Sequence, residues 1–413
     1  MSLSRRSVLG VAAGAPLLTS SLSLRQARAQ AQNTIRIGVL NDQSGVYRDL
    51  SGPGSTHCAR FAVREAGIAQ AGINVEVIEA DHQNRPDVGS TVMRQWMDRD
   101  GVDVILDVPT SSVALAANTL VRERNKVFLC SGAATSDLTG PACSPNTIHW
   151  TYDTWMLANS TGRAMVAAGG QTWFFVTADY AFGHALERDT SAFVTAAGGR
   201  VIGSVRHPFP NTDFSSFLLQ AQASRAQVIG LANAGADTTN AIKQAAEFGI
   251  TRRGQRIAGL LVFITDVDAL GIETAQGLVL SETFYWDLND RTRAFTRALG
   301  TMPGNIRPSM VQAGCYSAVL HYLKAVREMG VAAAKANGAE VVARMKAMPT
   351  DDQAFGPGSI RADGRKLHPA YLFQVKTPQE SSGRWDFYRL LGETPADRAF
   401  RPMAEGNCAL VRS

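Results

Sequence analysis

The clearest pattern in the chain is an apolar run at residues 102–108, followed by three small hydroxyl residues. The run is dense enough for a strand buried on both faces, which is typical of a parallel sheet covered by helices. Thr110, Ser111 and Ser112 come next, just before a helical pattern that starts near Val113. Such residues often cap helices, and the free N–H groups of a helix start also bind anions. Two interpretations of this turn stay open, a structural cap and a site for a carboxylate.

The alternation of strand and helix extends over most of the chain. Strands are predicted at residues 35–40, 73–80, 102–108, 127–130, 173–177, 200–205, 227–231, 257–264, 277–284 and 370–375. Helices are predicted at residues 55–67, 86–100, 153–169, 184–197, 213–224, 237–248, 309–329 and 338–348, besides the one that starts near 113. Single helices between strands indicate right-handed parallel crossovers, so the predicted class is α/β with doubly wound sheets. The long loop 131–152 divides the pattern into two domains.

Ligands of open parallel sheets bind beyond the carboxyl ends of the strands. Polar and aromatic residues are concentrated there in this chain, in segments 41–47, 110–112, 131–136, 178–183, 233–237 and 265–266. If the two sets of strand ends face each other, they enclose a cleft between the domains.

Length and charge narrow the class further. A chain of 413 residues is long for a single core, which supports two domains. The formal net charge is +5, but residues 1–29 hold four arginines and no acidic residue. Without them 37 basic and 36 acidic residues remain, with no basic stripe, so nucleic-acid binding is not expected.

The N-terminal 29 residues have the pattern of an export signal. Arg5 and Arg6 precede an apolar run rich in Ala and Leu, and residues 27–29 supply the small side chains of a cleavage site. Paired arginines resemble a twin-arginine signal, although Val8 stands where that motif usually has Phe, so ordinary secretion is the alternative. We expect cleavage near Ala29 and a mature protein in the periplasm.

The five cysteines fall into two groups. Cys58, Cys130 and Cys315 lie in apolar patterns typical of buried free thiols. Cys143 lies in a loop and Cys408 in the C-terminal tail, and an oxidising compartment favours a disulfide between these two.

Motifs for catalysis and for cofactors are missing. The sequence has no Gly-x-Ser-x-Gly elbow, no His-Glu-x-x-His, no close Cys/His cluster, no Walker loop and no Gly-x-Gly-x-x-Gly after the first strand. His207 and His321 are isolated and are expected to be structural. We therefore expect a protein that is not an enzyme and that holds no cofactor or metal.

Three segments, residues 37–52, 131–139 and 179–183, occur in an order and spacing that resemble the type I periplasmic solute-binding proteins of ABC transporters, specifically the branched-chain amino acid-binding (leucine/isoleucine/valine-binding-like) family. The resemblance covers essentially the whole mature chain. It implies two lobes joined by three connections, near residues 149–153, 281–287 and 355–362, that close on a ligand like a hinge. Lobe 1 would be residues 30–150 with 284–358, and lobe 2 residues 151–283 with 359–413.

The resemblance also implies where the ligand binds. In relatives that bind amino acids, the α-carboxylate is held by the turn matching Thr110, Ser111 and Ser112 and by the residue matching Thr135, with backbone help at Ala133. The second lobe supplies an acidic residue to the ammonium group, and the match there is poorer. The acidic candidates are Asp266 and Asp237, of which Asp237 is as well suited to capping a helix, and the alternative is that Thr265 stands at the family position.

Aromatic and small residues at the strand ends complete the candidate set, which also includes Tyr47, Ala134, Trp150, Tyr152, Tyr180 and Asn233. Large rings at a cleft favour an aromatic or bulky apolar ligand. For Trp150 and Trp286 the alternative is that they only pack the hinge.

The function that the resemblance implies is that of a monomeric substrate-binding component of an ABC importer. It would carry a small amphipathic carboxylate, an apolar amino acid or an aromatic acid, to an inner-membrane permease. A ligand-sensing protein on the same fold and a periplasmic hydrolase are the alternatives.

Overall fold

The computed structural model describes residues 33–411. The export signal predicted at residues 1–29 lies outside the described residues. Within the described part of the chain, no helix is both long enough and apolar enough to cross a membrane.

The first sheet has five parallel strands in the order β2-β1-β3-β4-β5. Its strands are β1 (Thr34–Asn41), β2 (Asn74–Asp81), β3 (Val104–Asp107), β4 (Val127–Cys130) and β5 (Thr147–His149). Its helices are α1 (Gly52–Glu65), α2 (Pro86–Gln95) and α3 (Ser111–Glu123). All four residues of β3 are buried, as the apolar run predicts for a strand covered on both faces.

The second sheet has four parallel strands in the order β7-β6-β8-β9. Its strands are β6 (Thr172–Ala178), β7 (Arg200–His207), β8 (Val228–Ala232) and β9 (Arg256–Gly259). The helices of this region are α4 (Thr154–Leu157), α5 (Arg163–Ala167), α6 (Ala181–Ala196), α7 (Ser215–Ala223), α8 (Ala236–Glu247), α9 (Ile264–Leu270) and α10 (Ile272–Ala275).

The rest of the chain adds two small antiparallel sheets and five helices. The strands are β10 (Val279–Glu282), β11 (Ser359–Ile360), β12 (Lys366–Leu367), β13 (Ala370–Val375) and β14 (Tyr388–Thr394), paired as β10-β13-β14 and β11-β12. The helices are α11 (Asp290–Leu299), α12 (Met310–Met329), α13 (Val331–Ala336), α14 (Gly338–Ala347) and α15 (Ala396–Ala399).

Two of the predicted strands need correction. The apolar run 257–264 is not one strand, because β9 ends at Gly259 and Ile264 already begins α9. The run 277–284 contains β10, but β10 pairs antiparallel with β13 and does not extend the parallel sheet. A short apolar run does not distinguish a strand from a buried turn and helix start, and it says nothing of strand direction.

The chain passes between the two parallel sheets three times. After β5 it enters the second sheet, after β10 it returns to place α12 against α1, and after α14 it goes back to place β13 beside β10. A fully buried arginine lies at these passages: Arg365 Nη1 donates to the Tyr152 carbonyl oxygen at 3.0 Å, and Arg365 pairs with His149 as an isolated bridge. The result is the two-lobe α/β architecture expected from the sequence.

The structure contains the disulfide that the sequence favours, between Cys143 and Cys408. Cys58, Cys130 and Cys315 are free and buried, as expected. The disulfide places the end of the chain against the loop after β4, where Arg401 Nη2 also donates to the Ser136 carbonyl oxygen at 2.9 Å.

Candidate ligand-binding site

The loop after β1 is shaped by one buried carboxylate. Asp42 Oδ1 accepts from the backbone N–H of Gly45 at 2.6 Å, and Asp42 Oδ2 accepts from the backbone N–H of Tyr47 at 2.9 Å. Asn84 Nδ2 donates to the same Oδ2 atom at 2.6 Å. Carboxylates that accept several N–H bonds hold a turn firmly, so Asp42 fixes the direction in which Tyr47 leaves the loop.

The three hydroxyls after β3 have three different surroundings. Thr110 is the N-cap residue of α3, but its hydroxyl donates to Asn84 Oδ1 and does not cap the helix. Ser111 is fully buried, and its Oγ accepts from the backbone N–H of Thr135 at 3.3 Å. Ser112 is half-buried, and within residues 33–411 its hydroxyl has no hydrogen-bond partner. The structural-cap interpretation is therefore wrong for Thr110, and Ser112 has the free hydroxyl of the turn.

The segment after β4, which lies beside that turn, is held in place by hydrogen bonds. His149 Nε2 donates to the Ala133 carbonyl oxygen at 2.7 Å, and the Tyr152 hydroxyl donates to the Gly132 carbonyl oxygen at 2.6 Å. The Thr135 hydroxyl accepts from the Asp137 backbone N–H at 3.4 Å, a long bond that caps the short helix behind it. These bonds occupy the carbonyl groups of residues 132 and 133.

A small cavity lies where strand ends of both sheets meet. The first-sheet side supplies Tyr47, Leu50, Pro109, Gly132, Ala134 and, beyond β5, Tyr152. The second-sheet side supplies Tyr180, Phe182, Ala234, Leu261 and Phe263. The cavity volume is about 10 Å³, which is room for about one water molecule. The cavity is thus at the place where a ligand of this fold class binds, and its walls are nearly in contact.

Residues of the two walls are in contact beside the cavity. The Ala236 backbone N–H donates to the Val46 carbonyl oxygen at 3.2 Å, and the Tyr47 and Tyr180 hydroxyls share a hydrogen bond. The ring of Phe209 stacks on Tyr180 with centroids 4.3 Å apart and lies 5.4 Å from the ring of Tyr47. Burial raises the pKa of both phenols, so both stay neutral at ordinary pH. We call this set of contacts the cleft contact.

Four of the fourteen sequence candidates line the cavity: Tyr47, Ala134, Tyr152 and Tyr180. The others do not, and these include Thr110, Ser111, Ser112, Ala133 and Thr135 as well as Trp150 and Asn233. Trp150 is fully buried, and its Nε1 donates to Ser317 Oγ of α12 at 2.8 Å. Asn233 is buried as well, with Oδ1 accepting from the Thr238 hydroxyl at 2.7 Å and Nδ2 placed 3.2 Å from His207 Nε2. Their polar groups hold the protein together, and the structure does not bring them to the cavity lining.

The second-lobe candidates for an ammonium partner are also outside the lining. Asp237 Oδ1 accepts from the Asn211 backbone N–H at 3.0 Å, and its Oδ2 lies 3.9 Å from His207 Nδ1. Asp266 Oδ2 accepts from the Phe263 backbone N–H at 2.9 Å and so caps its own helix, α9. Burial raises the pKa of each of these carboxyls to about 7. Thr265 borders a separate surface groove beside Arg48 and Asp268.

Sequence reasoning missed most of the apolar lining. The missed residues are Leu50, Pro109, Gly132, Phe182, Leu261 and Phe263, together with Phe209 of the cleft contact. Phe182 is in the first turn of α6, just after β6, and Phe209 lies in the loop after β7, so aromatic residues that follow strands were the available signal. Leu261 and Phe263 lie in the apolar run 257–264, whose pattern predicts a single strand and so gives no sign that these two residues face a cavity.

Comparison with known proteins gives a consistent result. The sequence profile of the periplasmic binding protein family matches residues 34–383. A Leu/Ile/Val-binding protein homolog of Brucella melitensis is 25% identical over 358 residues, which cover 84% of this chain and 89% of the relative.

Two crystal structures show the same fold. A periplasmic binding protein of Burkholderia mallei is 45% identical, with a TM-score of 0.88, over 92% of this chain and 100% of its own. A branched chain amino acid ABC transporter periplasmic ligand-binding protein of Burkholderia xenovorans is 38% identical, with a TM-score of 0.79, over 91% of this chain and 99% of its own. With its two-lobe fold and a cavity at the strand ends, the chain belongs to the periplasmic binding protein family, in the branched-chain amino acid-binding group of ABC transporter solute-binding proteins.

Proposed function

We propose that the protein binds a small amphipathic carboxylate, an apolar amino acid or an aromatic acid, between two lobes that close on it. The observation that carries the proposal is the cavity, because its walls come from strand ends of both parallel sheets. A ligand held there contacts both lobes only when they are shut, so its binding energy favours the closed form.

The polar end of the ligand belongs at the start of α3. Ser112 offers a hydroxyl without a protein partner, and the first N–H groups of a helix are free to bind an anion. The apolar end belongs among the rings of Tyr47, Tyr152, Tyr180 and Phe263, which line the cavity. Because the cavity has room for about one water, the lobes have to part and the cleft contact has to break before a ligand enters.

The remaining parts of the proposal follow the family. The mature chain begins near residue 30, works in the periplasm as a monomer and delivers its ligand to an inner-membrane ABC permease. Residues 30–150 with 284–358 form one moving lobe, and residues 151–283 with 359–413 form the other.

Thermal unfolding of the mature protein, first freed of bound ligand by unfolding and refolding, tests the proposal. Carboxylates that bind should raise the melting temperature, because a ligand at 100 times its Kd adds about 2.7 kcal/mol to the free energy of unfolding. Stabilisation by none of them would contradict it.

A variant with a matched control locates the carboxylate. Ser112→Ala should weaken every ligand that binds by about ten- to a hundredfold, the usual loss for one hydrogen bond to a charged group. Ser90→Ala in α2, half-buried like Ser112 but not at the start of α3, should leave affinity unchanged. Equal affinity of the Ser112→Ala variant and the wild type would contradict the proposal that the ligand's carboxylate binds at Ser112.

A further inference from the structure

A group of hydrogen bonds joins the two proposed lobes behind the cavity. Asp189 is buried in α6, on the lobe 2 side, and its Oδ2 atom accepts from Ser136 Oγ of lobe 1 at 2.7 Å. The same Oδ2 atom accepts from Thr154 Oγ1 at 2.6 Å, at the point where the chain has just entered lobe 2. One carboxylate oxygen therefore holds a hydroxyl group from each lobe.

Thr154 in turn bonds residues 134–136 of lobe 1, which we call the wall segment. The Thr154 backbone N–H donates to the Ala134 carbonyl oxygen at 2.8 Å, and Thr154 Oγ1 accepts from the Ser136 backbone N–H at 3.1 Å. A hydroxyl has a single proton, so donation to Asp189 leaves the lone pairs of Thr154 Oγ1 for that N–H. Ala134 lines the cavity and Asp189 does not, so Asp189 acts on the lining only through the two hydroxyls.

Arg188 completes the group. Its Nε atom donates to Asp189 Oδ1 at 2.8 Å, and its Nη2 atom donates to Ser136 Oγ at 2.9 Å. Arg188 Nη1 also lies 3.1 Å from Asp137 Oδ1, an ion pair between the lobes. Buried polar groups that are all paired favour one arrangement, and the loss of a shared acceptor leaves its donors unpaired.

From these bonds we infer that Asp189 is a positioning residue for ligand binding, which holds the wall segment in the orientation that receives the ligand without touching the ligand. The inference rests on the proposed function, because it requires a ligand in this cavity. A wall that is fixed before binding loses less conformational entropy when the ligand binds. Loss of the Asp189 carboxylate therefore lowers affinity even though the lining keeps all its side chains.

Two variants of Asp189 test the inference by calorimetry on the refolded mature protein, with leucine, phenylalanine and benzoate as probes. Asp189→Ala removes the acceptor of both hydroxyls, and the affinity for each probe that binds should fall by about tenfold or more. Asp189→Asn keeps an oxygen that accepts from both hydroxyls, so its affinity should stay within about threefold of the wild type. Equal losses in the two variants would overturn the inference.

Asp103 supplies a matched control for a general loss of stability. It is also a buried carboxylate, in ion pairs with Lys126 and Lys335, and it precedes β3, at the end of that strand away from the cavity. Asp103→Ala should lower the melting temperature and leave affinity unchanged. A loss of affinity as large as that of Asp189→Ala would overturn the inference.

Ser136→Ala tests the same bond from the lobe 1 side and replaces Asp189→Ala if that variant does not fold. It should weaken binding to a similar degree. The double variant of Ser136 and Asp189 should bind no more weakly than Asp189→Ala alone, because both changes break one interaction. Additive losses would show that the two residues act separately and would overturn the inference.

Amide hydrogen exchange of the ligand-free proteins gives a readout that requires no ligand. The backbone N–H groups of Ser136 and Thr154 should exchange faster in Asp189→Ala than in the wild type or in Asp103→Ala. Unchanged exchange, or faster exchange with unchanged affinity, would overturn the inference and leave the proposed function intact. Binding of none of the three probes to the wild type would contradict the proposed function and with it the inference.

Discussion

Gly235, at the start of α8, lies directly against Val46 and Tyr47 on the facing side of the cleft. Its backbone has φ 59° and ψ −135°, a region open to glycine and strained for other residues. A Cβ atom there would collide with the Val46 carbonyl oxygen and lie 3.0 Å from the ring of Tyr47. The Cβ atom of the Gly235→Ala variant therefore collides with Val46 and Tyr47, two residues of the cleft contact.

The expected effect has two separable parts. The strained backbone lowers the free energy of unfolding by about 1–3 kcal/mol. Loss of the Ala236 to Val46 hydrogen bond, the tyrosine hydrogen bond and the ring contact removes together about 2–4 kcal/mol from the closed form. At 1.4 kcal/mol per tenfold, the ligand-free equilibrium should shift toward the open form by roughly 30- to 700-fold.

A second glycine provides the control. Gly300, which ends α11, has φ 76° and ψ −158°, and a Cβ atom built there meets no atom within 4 Å. Gly300→Ala should reproduce the loss of stability without changing the lobes.

Small-angle X-ray scattering of the ligand-free proteins measures the outcome. The radius of gyration of the Gly235→Ala protein should exceed that of the wild type, and the Gly300→Ala protein should match the wild type. If the Gly235→Ala protein is as compact as the wild type, the cleft contact does not hold the lobes together and the reasoning fails.

Three further predictions concern other parts of the molecule. Cys143→Ser and Cys408→Ser should each lower the free energy of unfolding in urea by about 2–4 kcal/mol, with the double variant no worse than either single one; additive losses would contradict a bond between them. Burial raises the folded-state pKa of Asp266 to about 7. The protonated carboxyl therefore favours folding at low pH, and this contribution to the free energy of unfolding is lost as the pH rises through 7. The free energy of unfolding of Asp266→Asn minus that of the wild type should therefore increase from pH 5 to pH 8. A difference that stays constant over this range would refute the raised pKa of Asp266. Trp150→Phe should cost about 1–3 kcal/mol of stability and leave ligand affinity unchanged, so a fall in affinity would return Trp150 to the site.

The parallel sheets could be predicted because their strands are apolar runs separated by single amphipathic helices. Strand β3 is buried along its whole length, and its apolar run is followed at once by a turn and a helical pattern, which favours a strand. The antiparallel sheet could not be predicted, since β14 has mostly exposed residues and β13 pairs with β10, which lies far earlier in the sequence. Pairing of that kind depends on tertiary packing and not on local pattern.

The structure has a cavity at the strand ends where the sequence predicts a site, and only part of the lining of this cavity was among the predicted residues. The strand-end rule led to Tyr47, Ala134, Tyr152 and Tyr180, which do line the cavity. It also led to Asp237 and Asp266, whose carboxylates are held by backbone N–H groups. Sequence position shows that a polar residue lies at a strand end, but which partner satisfies it is decided by the loops around it.

The disulfide between Cys143 and Cys408 spans 265 positions and encloses the second sheet and all three passages between the lobes. A single cut by a protease anywhere inside that loop opens a ring without releasing a fragment. The nicked protein would keep its two halves joined and would migrate as one molecule until the bond is reduced. In a compartment that contains proteases, the disulfide therefore keeps a protein that has been cut once within this loop in one covalent piece.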